Sequence, residues 1–210
     1  MFVLVNLFDI ILIATLILFL VKGQKNGLFL ETVHLGGFFI ALVASLNLLP
    51  RSAHWVNKII ELAPNMSAIT GFALTSATIL LIYQFIVAFI QKNTKVQMEE
   101  WLNRLGGLLL GGLKGATVVS LLALMISLFP FAQNIVDAQD DSFFFGPSKK
   151  FMPNVYSVVK RVVPGSPNFS KIVDDTFLWF DLSELDNNSK SFLQEYGSDH
   201  AREVLAAAQK

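Results

Sequence analysis

The chain has 210 residues, 53% of them apolar, with 19 phenylalanines and a mean hydropathy of +0.56, which is too apolar for an ordinary soluble domain. Sixteen basic and sixteen acidic residues cancel, so the basic excess of a nucleic-acid binder is missing. Having no cysteine, the chain cannot form disulfides or thiolate metal sites.

The charges are unevenly spread. Residues 1–130 hold eight Lys/Arg and five Asp/Glu, and residues 131–210 hold eight and eleven. The expected organisation is a four-helix transmembrane domain over 1–130, followed by a mainly helical, polar C-terminal extension over 131–210. Four stretches approach the length of about 20 residues that crosses a bilayer as a helix: Phe2 to Val21, Leu28 to Leu49, Phe72 to Ile90 and Leu105 to Phe129. The fold class is therefore an all-α membrane protein with a short amphipathic helical extension.

The first stretch lacks a basic n-region and a small-x-small cleavage site before Lys22, so it is expected to be a retained span rather than a signal peptide. Asp9 falls about 10 Å from its outer end. In the second span, Glu31 and His34 fall about 5 and 9 Å from the inner end. Their Glu-x-x-His spacing supplies two ligands per helix in di-iron bundles, but such sites need the motif twice and two further glutamates. It occurs once here, so no metal or other cofactor is expected.

The second loop, RSAHWVNKIIELAP, repeats Trp55, Ile59 and Leu62 on one helical stripe. That suits a short helix on the membrane surface or one packed on the bundle. In the third loop, Thr94 and Gln97 have capping-box spacing. Short-loop charges set the orientation. Lys22, Lys25, Lys92, Lys95 and Arg104 lie in the first and third loops, against Arg51 and Lys58 in the second. This bias puts the first and third loops in the cytoplasm and both termini outside, in the periplasm of a cell with two membranes.

The fourth span combines glycines at 107, 111 and 115 with one lysine at 114. Glycine costs roughly 1 kcal/mol against alanine in a helix, and close backbone approach between membrane helices explains three on one face. Lys114 lies roughly 13 Å inside a hydrocarbon layer about 30 Å thick. It can reach toward Glu31 or His34, or less easily toward Asp9. Ionisable groups inside a membrane are functional candidates by default, as a proton or ion relay or a polar substrate site. The structural alternative is one ion pair that fixes helix register, or a lysine that snorkels to the headgroups.

Pro130 ends the fourth span, and Asp137 to Asp141 open a polar stretch. Over about 148–163, Phe151, Val155, Val158 and Val162 share a helical face flanked by Lys149, Lys150, Lys160 and Arg161, a basic amphipathic helix for the headgroup region or for the bundle. Ile172 to Leu182 is too short to span. From Ser183 on, helix is expected only near Ser198 to Gln209. His54 and His200 are expected to be solvated. Gly-x-Ser-x-Gly, phosphate-loop and His-Glu-x-x-His patterns are missing from the sequence, and no catalytic residues are assigned.

Asp9, the run Lys22-Gly23-Gln24-Lys25-Asn26-Gly27 leading to Glu31, and Asn103-Arg104 followed by Gly107, Gly111, Lys114 and Gly115 together resemble the colicin V production protein family over about residues 5–130. Asn26 stands where that family often has a basic residue. The resemblance implies a four-helix bacterial inner-membrane protein associated with export of a peptide toxin and with envelope homeostasis. Some relatives carry a protease domain outside the membrane after the fourth span. The expected function is a non-enzymatic accessory or scaffold in toxin production, secretion and envelope homeostasis. Its expected partners are the lipid bilayer and either a homo-oligomer or other envelope proteins, with no nucleic acid. The alternative is a small transporter or channel subunit that uses Asp9, Glu31 and Lys114.

Overall fold

The computed structural model describes residues 6–93, 99–129 and 142–208. Among these residues the chain forms seven α-helices and one 3-10 turn, and no strand. Three helices are long, α1 (Leu7–Ile60), α2 (Pro64–Asn93) and α3 (Glu100–Leu128). Four are short, α4 (Phe145–Val159), α5 (Phe169–Phe177), α6 (Asn187–Tyr196) and α7 (Asp199–Ala208). By length and composition, α1, α3 and the Pro64–Ala88 part of α2 can each cross a membrane. Residues 2–5 of the first expected span lie outside the described residues. So do Lys95, the Thr94/Gln97 spacing, Pro130, the Asp137 to Asp141 stretch and Gln209.

α1 does not run straight. Gly27 has φ 77 and ψ 170, a conformation outside the helical region that glycine adopts without a Cβ penalty. Lys114 Nζ lies 5.9 Å from the Phe19 ring centroid and 5.9 Å from that of Phe38. The two rings are thus no more than about 12 Å apart, whereas a straight helix would separate their Cα atoms by about 28 Å. The chain therefore folds back at Gly27 into two arms, 7–26 and 28–60. The freed N–H of Leu28 donates to Asn103 Oδ1 at 2.8 Å, which caps the second arm as an N-cap side chain would.

The second arm continues through the segment expected as a loop. Pro50 is accommodated inside the helix, and the chain turns only at Glu61, whose φ is 52. Pro64 then opens α2, where a missing N–H costs nothing. The carbonyl of Leu62 accepts from Asn57 Nδ2 at 2.6 Å and from Ser67 Oγ at 3.1 Å, which secures the turn. Trp55 and Ile59, 65% and 72% exposed, present their stripe outward. Several hydroxyls within the long helices return to their own backbone. Ser45, Thr75 and Thr117 each donate to the carbonyl four residues earlier, so they need no outside partner in an apolar setting.

The fold comprises two compact units. One contains Met1–Phe39, Ile82–Leu124 and Phe131–Val155, and the other Ile40–Leu81, Met125–Pro130 and Tyr156–Lys210. In the first, the Tyr83 hydroxyl donates to Val33 O, and its ring fills the space a side chain on Gly37 would take.

In the second unit the tail is more ordered than its polarity suggests. Ile172, Val173, Phe177, Phe192, Leu193 and Leu205 are buried together with Phe180. α6, which was not expected, starts at the N-cap Asp186, whose side chain accepts from Ser189 N at 2.9 Å. Asn65 Nδ2 donates to Leu128 O and to Asp186 Oδ2, both at 3.0 Å, and Asn188 Nδ2 donates to Phe129 O at 2.8 Å. Carbonyls at the end of α3 are thereby satisfied by Asn65 of α2 and by Asn188 of the tail.

The buried face of α4 also differs from the expected one. Met152 and Tyr156 are fully buried while Val158 is 63% exposed. Tyr156 determines that choice, because its hydroxyl donates to Asn47 Oδ1 at 2.9 Å and lies 3.3 Å from Pro167 O. Burial pushes this phenol up to about 12.

Candidate functional site

The fold-back brings Glu31, His34 and Lys114 together. Glu31 sits in the first turn of the second arm, where the helix dipole favours a carboxylate, and it is 2% exposed. Its Oε2 accepts from Asn26 Nδ2 at 2.7 Å, and its Oε1 lies 3.5 Å from Lys114 Nζ. His34 Nδ1 is 3.7 Å from Glu31 Oε2 and 3.4 Å from Asn26 Nδ2. The Phe19 and Phe38 rings flank the ammonium at cation–π distance. An opposite charge and a carboxamide donor are the groups a buried carboxylate needs. Chemically, the cluster can hold a fixed ion pair with an imidazole alongside.

The glycines lie directly beside this cluster. A Cβ on Gly107 would meet Gly23 O and approach Gly27 Cα to 2.9 Å, and one on Gly111 would lie 2.5 Å from Phe19 O and 2.8 Å from Gly23 Cα. A Cβ on Gly115 would stand 2.7 Å from Phe19 Cβ. Backbone thus meets backbone at 107 and 111, and a side chain at 115. Ascending numbers in α3 meet descending numbers in the first arm, which makes the pair antiparallel.

Asp9 belongs to a different place, and the expectation that it could serve Lys114 is corrected. It lies ten residues, about 15 Å, along the first arm from Phe19, the residue beside Lys114. Its Oδ1 accepts from Ser142 Oγ at 2.5 Å and from Phe144 N at 3.1 Å, and Ser142 Oγ in turn accepts from Phe145 N at 3.1 Å. Asp9 therefore acts as a cap for α4 supplied from another helix. His200 is exposed. His54, expected in solvent, packs edge-on against Trp179 with centroids 3.9 Å apart. Sequence reasoning missed Asn26 as a ligand of Glu31, Asn103 as the cap at Leu28 and Ser142 as the partner of Asp9. For Asn103 a signal existed, namely a polar residue opening the glycine run.

The model of a family described as Colicin V production protein matches residues 8–153. The match extends past residue 130 to include Ser142 and the first part of α4. No curated protein and no solved structure shows significant similarity to the chain. The match covers well over half of the 210 residues, including Asp9, Gly23, Gly27, Glu31, Asn103 and the glycine run that ends at Gly115, and on that basis this membrane protein belongs to the colicin V production protein family.

Proposed function

We propose that the protein is a non-enzymatic inner-membrane scaffold or accessory, acting in secretion of a peptide toxin and in envelope homeostasis, with four crossings and both termini outside the cytoplasm. One observation carries this reading. Two buried carboxylates of the membrane helices, Glu31 and Asp9, are both closed by partners within the chain. Such groups favour a fixed framework over an open polar site. The reversal at Gly27 supports four crossings, because it divides α1 into arms of about 30 and 50 Å, each long enough for a hydrocarbon layer of about 30 Å.

Crosslinking in intact cells followed by pull-down should recover a defined envelope partner or a homo-oligomer, and recovering neither counts against the scaffold. Because the chain has no cysteine, topology can be read with single replacements. Lys58→Cys should react with an impermeant maleimide from outside, and Lys25→Cys should react only after lysis. The transporter alternative draws on the side chains of His34 and Lys114, which are 21% and 15% exposed. It requires flux in proteoliposomes that Lys114→Met abolishes while expression persists.

A further inference from the structure

Where α1 and α2 approach their shared turn, Gly71 lets the helices close so tightly that a Cβ there would lie 2.7 Å from Ala53 N. Beside this contact the helices part into an open groove of about 400 Å³ lined by Leu48, Arg51, Trp55, Ile59 and Leu74. Its walls are almost wholly hydrocarbon, and Trp55, Ile59 and Leu74 are all exposed. Arg51 is the one charged residue among those that line it, and no carboxylate pairs with it among the described residues. The position matters too. The apolar run of the second arm ends at Leu49, so Arg51 and Trp55 stand at the depth where headgroups begin. There an indole sits at the boundary and a guanidinium matches a phosphate bidentately.

We propose that this groove holds one anionic glycerophospholipid, with an acyl chain along Trp55, Ile59 and Leu74 and its phosphate on the Arg51 guanidinium. The site is distinct from the Glu31–Lys114 cluster and does not depend on which side of the membrane the turn faces. A net negative headgroup is favoured because a zwitterionic one carries its own cation to compete with Arg51. The expected preference is about fivefold for one arginine near the membrane surface.

Trp55 reports on its own occupant. The full chain with Trp101→Phe and Trp179→Phe, reconstituted in phosphatidylcholine bilayers, leaves Trp55 as the only tryptophan. Brominated phosphatidylglycerol should quench it at about one fifth the mole fraction that brominated phosphatidylcholine requires. Arg51→Gln should remove that difference, and Lys58→Gln should leave it intact. Equal quenching by the two lipids overturns the site, as does an excess that survives Arg51→Gln or is lost equally in Lys58→Gln. Absence of quenching by either lipid overturns the site and the membrane placement together. If the double phenylalanine variant does not fold, native mass spectrometry of the unaltered chain from mixed lipid micelles reads the same question. One retained phosphatidylglycerol that Arg51→Gln loses supports the site, and equal retention overturns it.

Discussion

Removing the ammonium of Lys114 tests the polar cluster most sharply. Lys114→Met keeps an unbranched side chain between Phe19 and Phe38 but leaves Glu31, 2% exposed, with only Asn26 and the imidazole of His34 beside it among the polar groups described for the cluster. Two unit charges 3.5 Å apart attract by about 5 kcal/mol at an effective dielectric near 20. The desolvation of both ions offsets part of this, yet stripping one partner from a buried pair still costs roughly 3–5 kcal/mol. A chain of this size loses roughly 2–4 °C of midpoint per kcal/mol, so the melting temperature in detergent should fall by roughly 6–20 °C. Glu31→Gln in the Lys114→Met background should recover most of the loss, because glutamine still accepts from Asn26 and carries no charge. Scanning fluorimetry on the purified full chain measures the three midpoints, and abundance in membranes gives the same ranking if Lys114→Met is too unstable to purify. An unchanged midpoint in Lys114→Met, or a double variant as damaged as the sum of the singles, would refute the buried-pair reasoning.

The remaining predictions concern the contacts around that cluster. Gly111→Leu should abolish folded protein in membranes, because a side chain there meets the backbone of Phe19 and Gly23. Gly36→Ala, with nothing within 4 Å of the added carbon, should leave the stability unchanged or raise it, by up to about 1 kcal/mol. Normal abundance and size for Gly111→Leu would end the packing argument. Asn103→Ala should cost about 1 kcal/mol and speed hydrogen exchange at the amide of Leu28, which its carboxamide now holds. Retained protection at Leu28 would show that the arm is capped by something else. Asp9→Ala should expose the amides of Phe144 and Phe145 to faster exchange while Leu28 stays protected, and parallel changes at both places would mean that Asp9 acts on the whole fold.

The parts legible in the sequence are those with a strong local signature. Apolar length marked the long helices, the four-residue spacing of Gly107, Gly111 and Gly115 marked a face, and depth put Lys114 within reach of Glu31 or His34 without choosing between them. Asp9 was misjudged because depth ranks only partners inside the membrane. Its actual partner, Ser142, follows α3 in a polar segment with no helical period. α6 escaped because NNSKSFLQEY offers only Phe192 and Leu193 as buried apolar anchors, and its starting residues are held by Asn65 and the carbonyl of Phe129, which are remote in sequence. The valine face of α4 lost to Met152 and Tyr156 for a related reason. Periodicity weighs hydrocarbon and is blind to a phenol that has two acceptors waiting.

The two glycine-bearing segments, Lys22 to Gly27 and Asn103 to Gly115, are far apart in the chain yet form opposite sides of one joint. Gly23 and Gly27 repeat every four residues, and so do Gly107 and Gly111. Matching four-residue rows let the antiparallel backbones interlock. The same periodicity creates an ambiguity, because a slide of four residues, about 6 Å along the axis, would again set small residues against small ones. Steric fit alone therefore does not fix the register. Two polar contacts from α3 to the start of the second arm, which Gly27 joins directly to the first, do, because neither repeats with that period. Asn103 Oδ1 reaches the single N–H freed at Leu28, and Lys114 reaches the single carboxylate at Glu31. A slipped register would leave both the amide and the carboxylate buried without their present partners, at several kcal/mol together. The lysine one position before Gly115 thus does for this helix pair what a lone buried polar residue does in a coiled coil, selecting one alignment among several that pack almost equally well.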